Sequence, residues 1–326
     1  MKENLFLKHT GIELPIICGA MYPCSNPELV AAVSEAGGIG IVQPISLVFV
    51  HKHDFRQGIQ LIKSMTQKPF GMNIITEKSS KMYQERMEKY LDIALEEGVR
   101  FFITSLGNPK WVTERVHAQG GFVYHDVVDR KWALKALDSG VDGIICVNNR
   151  AGGHAGQRSL ETLYHEMNDL NVPLIAAGGL STSEHVEHAL KSGYLGVQLG
   201  TRFIATNECN AHEDYKKAIV DAHEQDIVLT EKISGVPVSV IYSESVKRMG
   251  LRANPVARYM LKHPKFKHWM RMYYTLQSAW KLKNASLKGY SYSDFWQAGK
   301  SVEGINSIQS VAEVIQDLKK GCGTLS

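Results

Sequence analysis

A histidine set among glycines is the first feature of this sequence that suggests chemistry. It lies in the segment "NNRAGGHAGQRS", residues 148–159, directly after the apolar run "DGIICV". The segment gives His154 no apolar neighbours at helical or strand spacing, so a place in a core is not expected. An imidazole with a pKa of about 6.5 accepts a proton near neutral pH, and flanking glycines allow close approach to a bound molecule. His154 is therefore a candidate base, the alternative being a loop histidine that holds its turn by hydrogen bonds.

Two further glycine segments are typical of anion binding. They are "AAGGLST" at 176–182 and "QLGTRF" at 198–203, and each follows an apolar run. Glycine amides approach an anion closely, and the first segment runs into a predicted helix, whose free N-terminal N–H groups favour negative charge. The alternative is that these glycines only form tight turns between strands and helices.

Alternation of short apolar runs with longer helical patterns organises most of the chain. Eight runs are strand candidates, at 14–21, 39–44, 69–76, 100–106, 122–128, 143–149, 173–179 and 195–203. Helical spacing separates many of them, and phrases such as "EAGG", "EEGV", "DSGV" and "KSGY" end helices just before the next run. The pattern predicts a (β/α)8 TIM barrel. An open Rossmann-like sheet is the alternative, but neither G-x-G-x-x-G nor a P-loop motif is present.

In such a barrel the active site lies at the carboxyl ends of the strands, and phosphate commonly binds after strands seven and eight. The two glycine segments occupy those positions. The ends of other predicted strands supply "GAM" at 19–21, Gln43 and Asn73. Small and amide-bearing groups suit a flat polar ring that needs hydrogen bonds and close backbone contact. For Asn73 the alternative is a satisfied strand-end amide, and for Met21 it is core packing.

Composition limits the remaining possibilities. The 326 residues are 44% hydrophobic and 21% charged, which allows a substantial core. Neither a signal-peptide pattern nor an apolar run of membrane length is present, so a cytoplasmic protein without a membrane partner is expected. The five cysteines include no C-x-x-C pair and are expected to be reduced thiols, with no metal site. A net charge of +4 does not by itself predict nucleic-acid binding.

The chain after residue 204 has a different character. We expect a barrel over 1–239, a basic helical cap over 240–295, and a C-terminal helix that returns to the barrel within 296–326. Residues 247–292 contain eleven lysines and arginines and no acidic residue. This basic segment is either a solvated helical face or an attractor for an anionic substrate, a pyridine nucleotide or an acidic carrier protein.

The motifs also resemble a known family. "LPIICGAM", "PFGMNI", "AGGHAG", the stretch from "PLIAAGGLST" to "GTRFIATNEC", and the late "WQAGKSVEGI" are similar to the nitronate monooxygenases, formerly called 2-nitropropane dioxygenases. Related enzymes are flavin-dependent enoyl-acyl-carrier-protein reductases and some NADH:quinone reductases. The resemblance implies bound FMN, with its phosphate at Gly178, Gly179, Gly200 and Thr201 and its ring near Ala20, Met21, Asn73 and Gly152.

The resemblance further implies that the enzyme oxidises an anionic small molecule, a nitronate or nitroalkane, with dioxygen, and that His154 acts as a base or electrostatic partner for it. An NAD(P)H-dependent FMN reductase is one alternative, and a non-redox phosphate-binding barrel enzyme is another. A homodimer is among the expected assemblies. Arg150 stands where members of the family often carry an acidic residue, which predicts a reversed local charge beside "AGGH".

Overall fold

The computed structural model describes residues 4–76, 81–232, 237–252, 283–284, 286–287 and 295–323. Within them, eight parallel strands close into a barrel in chain order. This confirms the predicted TIM barrel and excludes the open sheet. The strands are β1 Ile16–Cys18, β2 Ile39–Val42, β3 Gly71–Ile75, β4 Phe101–Ser105, β5 Phe122–Val127, β6 Gly143–Val147, β7 Leu174–Ala177 and β8 Gly196–Leu199.

The strands are shorter than the apolar runs that predict them. β1 ends at Cys18, so Gly19, Ala20 and Met21 leave the sheet. β8 ends at Leu199, and Thr201–Ile204 form one helical turn where the prediction extended the strand to 203. After each strand the chain must leave the barrel and reach the next helix, so the last residues of each apolar run turn outward instead of pairing.

Helices surround the barrel. The expected helices after β1, β3, β4, β5 and β7 are present, whereas the helices that precede β1 and follow β2 and β6 were not predicted. The helices are α1 Leu5–Thr10, α2 Pro27–Glu35, α3 Phe55–Met65, α4 Lys81–Glu96, α5 Lys110–His117, α6 Arg130–Leu137, α7 Leu160–Met167, α8 Ser183–Lys191, α9 Thr201–Ile204, α10 Glu213–Asp221, α11 Glu244–Met249 and α12 Val311–Lys320.

The barrel encloses its own apolar layer. Alternate strand residues point inward and form a core together with residues of the amino-terminal segment. This inner core consists of Phe6, Ile12, Ile17, Ile39, Ile41, Phe101, Ile103, Tyr124, Ile145, Ile175 and Ala177. Phe6 is fully buried and its ring meets those of Phe101 and Tyr124. Helix α1 therefore closes the end of the barrel opposite the predicted site. The outward residues pack under the surrounding helices in a second core.

A hairpin lies above the barrel, and the end of the chain packs against its helices. β9 Ile227–Thr230 and β10 Val238–Ile241 pair antiparallel. α12 contacts α2 and α8, so the chain returns to the barrel after residue 300. Most of the predicted basic cap falls on 253–282 and 288–294, outside the described residues, and the domain boundaries stay predictions.

Two findings bear on the expected class of protein. None of the helices within the described ranges is long and apolar enough to cross a membrane. All five cysteines are buried and free.

Candidate active site

Asn148 joins the histidine loop to the glycine turn after β7. It follows β6 and is 1% exposed. Its side-chain amide donates to the Gly178 carbonyl at 2.9 Å, and its Oδ1 accepts from the Arg150 N–H at 2.7 Å. Its backbone carbonyl accepts from Gly156 N at 3.1 Å, which closes the loop around His154. One buried amide thus fixes the position of two candidate segments, because each of its polar atoms is satisfied by a different one.

Close backbone packing brings the histidine loop against the segment at 296–299 and the turn after β8. A Cβ added at Gly152 would lie 2.9 Å from Gly299 N and 3.5 Å from Thr201 Oγ1. Thr201 Oγ1 also accepts a hydrogen bond from Gly299 N at 3.0 Å. Side chains do not fit between these backbones, so glycine is required at both positions. The late "WQAGKS" motif therefore belongs to the site, although no sequence-derived site residue lies within it.

Gly178 and Gly179 form the turn that the sequence predicts after β7. Gly178 has φ +110° and Gly179 has φ +74°, a region that residues with a Cβ rarely adopt. A Cβ at Gly178 would lie 2.4 Å from Asn148 Oδ1, and one at Gly179 would lie 2.7 Å from the Arg150 side chain. Both backbone conformation and space thus restrict these positions to glycine.

The turn after β1 meets the turn after β8. A Cβ at Gly200 would lie 3.4 Å from the Met21 sulfur, and the Met21 N–H donates to Ser25 Oγ at 2.8 Å. Ala20 packs against the inner barrel core. The structure therefore brings together Met21, Gly152, Gly178, Gly179, Gly200 and Thr201 at the carboxyl ends of β1, β6, β7 and β8.

Asn73 lies separately, on β3. Its amide donates to the Ile103 carbonyl at 3.3 Å, and the residue is 8% exposed. That contact fits the alternative of a satisfied strand amide, although its distance is long for a hydrogen bond. It uses one amide hydrogen, so the second hydrogen and the side-chain oxygen can bind another partner. Gln43 is buried and accepts from Ser46 N at 2.6 Å, so this side chain holds the turn after β2.

The hairpin above the barrel holds the loop that carries His154. Gly153 forms an antiparallel bridge with Ser239 of β10, whose N–H donates to the Gly153 carbonyl at 2.8 Å. Next along the chain, the His154 side chain reaches solvent at the mouth of the barrel. Protein atoms around the imidazole still desolvate it, and this lowers its pKa below the ordinary value. A neutral imidazole is therefore the prevailing form near pH 7.

An ion-pair network offsets the charge reversal expected from Arg150. Its guanidinium binds both oxygens of Glu224, at 2.8 and 2.7 Å, and Lys300 Nζ lies 3.2 Å from the same carboxylate. The two cations lower the pKa of Glu224, with the hydrogen bond from Arg150 as the largest cause. Arg150 thus ties the histidine loop to the short helix at 224–226. Both of its terminal nitrogens are engaged by Glu224 and are not left to attract a ligand.

Two polar residues of the inner barrel face were missed in the sequence. Asp126 is on β5 and Gln198 is on β8, at the carboxyl ends of both strands. Asp126 Oδ1 and Gln198 Oε1 are buried, and neither is hydrogen bonded to any residue the structure describes. The available signal was a charged residue at an inward position of the run "FVYHDVV", where the strand period expects an apolar one.

Comparison with known proteins assigns the chain to a family. The profile of nitronate monooxygenase matches residues 3–321. A Rhodococcus jostii protein named "(3aS,4S,5R,7aS)-5-hydroxy-7a-methyl-1-oxo-octahydro-1H-indene-4-carboxyl-CoA dehydrogenase" is 28% identical over 240 residues, covering 73% of this chain and 65% of that protein. A probable nitronate monooxygenase of Staphylococcus saprophyticus is 24% identical over 296 residues, covering 78% of this chain and 82% of the relative.

A solved structure supports the same assignment. FabK from Thermotoga maritima superimposes with a TM-score of 0.81 and 28% identity, covering 100% of this chain and 98% of that one. The family profile spans nearly the whole described barrel together with the segment at 296–299 that packs on the histidine loop. The chain therefore belongs to the nitronate monooxygenase family and is a flavin-dependent oxidoreductase.

Proposed function

We propose that this protein is an FMN-dependent oxidoreductase in which His154 removes a proton from a carbon acid bound at the flavin. The observation that supports this most directly is the convergence of the histidine loop with the glycine turns after β7 and β8, joined by Asn148 and by the contact of Gly152 with Gly299. In this proposal a base, an anion-binding turn and a surface for a flat ring lie at one mouth of the barrel. A non-redox barrel enzyme would not need all three.

The described residues fit a flavin mononucleotide. Gly178 and Gly179 carry no side chain that would cover their backbone N–H groups, as a close phosphate contact requires. The orphaned oxygens of Asp126 and Gln198 are hydrogen-bond acceptors and suit a ring that presents N–H groups. We assign the phosphate to Gly178, Gly179, Gly200 and Thr201, and the ring to the neighbourhood of Ala20, Met21, Asn73 and Gly152. When bound, the flavin supplies the acceptor for the electrons.

Nitroalkanes and nitronates are the first class of substrate. The nitro group makes the adjacent C–H acidic, so that a neutral imidazole removes the proton and leaves a nitronate. His154 then carries the proton as an imidazolium, which stabilises the negative nitronate oxygens. Dioxygen completes the oxidation, and the products are a carbonyl compound and nitrite. The family profile and the Staphylococcus relative support this class.

Coenzyme A thioesters are the second class. The carbon next to a thioester carbonyl is also acidic, so the same base serves, and the reaction is a dehydrogenation. The name of the Rhodococcus relative supports this class, and its 28% identity exceeds the 24% of the nitronate relative. The basic segment at 247–292 suits the phosphates of coenzyme A. An NAD(P)H-dependent reductase remains the third candidate.

The cofactor is tested first. Protein denatured after purification should release one FMN per chain, identified by chromatography, because the paired glycine turns provide for one terminal phosphate. Release of FAD, or of no flavin, would contradict the proposal. Anaerobic mixing with NAD(P)H then separates the reductase from the other candidates, since only the reductase loses its flavin absorbance rapidly.

The substrate is tested next. Anaerobic mixing with an alkyl nitronate or with a cyclic carboxyl-CoA should bleach the flavin with the true substrate class. For either anion, capture should weaken as salt approaches physiological strength if the basic segment attracts it, because exposed charges are screened beyond about 8 Å there. A rate of bleaching that does not respond to salt would assign no steering role to that segment.

A further inference from the structure

The inner face of β5 carries an acid where the barrel core ends. Side chains alternate along a strand, and Phe122 and Tyr124 of β5 belong to or pack against the inner core. Asp126 is the next inward residue, one layer closer to the mouth, and it is partly exposed. Its partner in the sheet register is Ile145 of β6, so the neighbouring strand offers it an apolar side chain.

Gln198 reaches Asp126 from the other side of the barrel. It lies on β8 between the register partners Ala177 and Ile17. Its side chain also fills the space beside Gly19, where an added Cβ would lie 3.1 Å from it. The Gln198 amide is within hydrogen-bonding reach of the Asp126 carboxyl. One oxygen of each residue nevertheless stays buried without a donor among the described residues.

A buried carboxylate oxygen without a donor is unfavourable, because a carboxylate that is removed from water without a cation carries a large desolvation penalty. A proton on Asp126 removes this cost, since the neutral acid has an O–H to donate. Burial accordingly raises the pKa of Asp126 to about 7, against which the hydrogen bond from Gln198 acts. The group therefore changes its protonation near neutral pH.

Among the described residues, few titratable groups lie near Asp126. His125 points to the opposite face of β5, where it lies 2.8 Å from Thr104 Oγ1, and burial lowers its pKa to about 4. Tyr124 lies one layer below, and burial raises its pKa far above neutrality. Asp129, beyond the strand, caps α6 through the Trp132 N–H. His154, on the loop after β6, also changes its protonation at the mouth. Its titration must therefore be distinguished from that of Asp126.

We propose that Asp126 is a proton-holding residue of the cofactor site, whose neutral carboxyl donates a hydrogen bond to the flavin ring and favours the reduced state. The proposal rests on FMN binding as proposed above. Reduction places negative charge on the ring, which a neutral donor stabilises and a carboxylate repels. Above the pKa of Asp126, reduction of a bound flavin would take up two electrons and one proton on the ring, and the Asp126 carboxylate would take up one further proton from water.

The test is a redox titration with a variant that cannot ionise. Asp126→Asn keeps the size and a hydrogen-bond donor, and the exposed Asp138→Asn is the control for the same charge change away from the mouth. The midpoint potential of the bound FMN is measured from about pH 6 to pH 8 in a His154→Gln background. In this background, the protein that keeps Asp126 and the Asp138→Asn control should both take up more protons per two electrons than the Asp126→Asn variant over this range.

A second variant keeps the acid and moves its titration. Gln198→Leu removes the hydrogen bond that lowers the pKa of Asp126, so the additional proton uptake should shift to higher pH. This variant also replaces Asp126→Asn if that protein does not fold. Equal proton uptake with and without the Asp126 carboxyl, with FMN bound, would overturn the proposal alone. Failure of the wild-type protein to bind FMN would overturn the proposed function as well.

Discussion

At the scale of single residues, the proposed role of His154 as a base means that this residue determines whether the enzyme can start from a neutral carbon acid. Replacement by alanine should lower turnover of a nitroalkane or thioester by about 10²- to 10⁴-fold, the usual contribution of a positioned base. With a preformed nitronate no proton needs to be removed, so the loss should be much smaller. Stopped-flow bleaching of the flavin measures both. Equal losses on the two kinds of substrate, with flavin retained, would assign His154 to binding rather than to proton transfer.

The protonation of His154 gives a second prediction at this scale. Desolvation lowers its pKa below about 6.5, and a base acts only in its neutral form. Activity should therefore be retained down to pH values at which an ordinary histidine is already protonated, and it should fall as the pH drops through the lowered pKa. The acid limb of kcat/KM on a nitroalkane should lie below about pH 6.5. An acid limb at or above that value would contradict the desolvated environment.

At the scale of elements, the turn between β7 and α8 is the place where backbone geometry should affect the proposed cofactor binding. If this turn binds the flavin phosphate as proposed, Gly178→Ala should lose most of its bound flavin, because the new Cβ would lie 2.4 Å from Asn148 Oδ1 and 2.8 Å from Ala151 N. Gly178→Asp should lose more, since a carboxylate would face the phosphate. Flavin absorbance per chain measures the occupancy.

Gly98 provides the matched control for this turn. It has φ +91°, close to that of Gly178, and an added Cβ would meet nothing within 4 Å. Gly98→Ala should therefore cost about 1 to 2 kcal/mol of stability from backbone strain alone and leave flavin occupancy unchanged. Equal occupancy in Gly98→Ala and Gly178→Ala would mean that the phosphate binds elsewhere.

At the scale of the whole molecule, stability and chemistry are divided between the two ends of the barrel. Phe6 of α1 closes the far end, fully buried against Phe101 and Tyr124. Phe6→Ala should lower the free energy of unfolding by about 3 to 5 kcal/mol through loss of burial and a new cavity, while folded protein keeps its flavin affinity. Leu5→Ala, in the same helix but 41% exposed, should change stability little. Denaturant unfolding and flavin titration measure the two quantities.

A weakened flavin affinity in folded Phe6→Ala protein would contradict this division. The inner core lies between α1 and the mouth, so a change at one end reaches the other only by shifting that core. The same arrangement explains why the candidate site residues come from the carboxyl ends of the strands and from segments above them.

The sequence by itself determined the barrel and the segments that carry its candidate site. Short runs buried on both faces, each followed by a helix ending in glycine, are sufficient to predict parallel βα units, because both signals are local. Glycines at residues 178, 179 and 200 were recognisable for the same reason. Helices α1, α3, α7 and α9 escaped prediction; α1 is only six residues long, and its burial depends on the closed barrel beneath it.

Only the tertiary structure decided which distant residues share the site. Gly299 meets Gly152 and Thr201 although about a hundred residues or more separate it from both, and Glu224 neutralises Arg150 from another segment. Asp126 and Gln198 approach each other because β5 and β8 face across the same closed barrel. Such pairs leave no periodic signal along the chain, since their contact depends on barrel closure and not on local spacing.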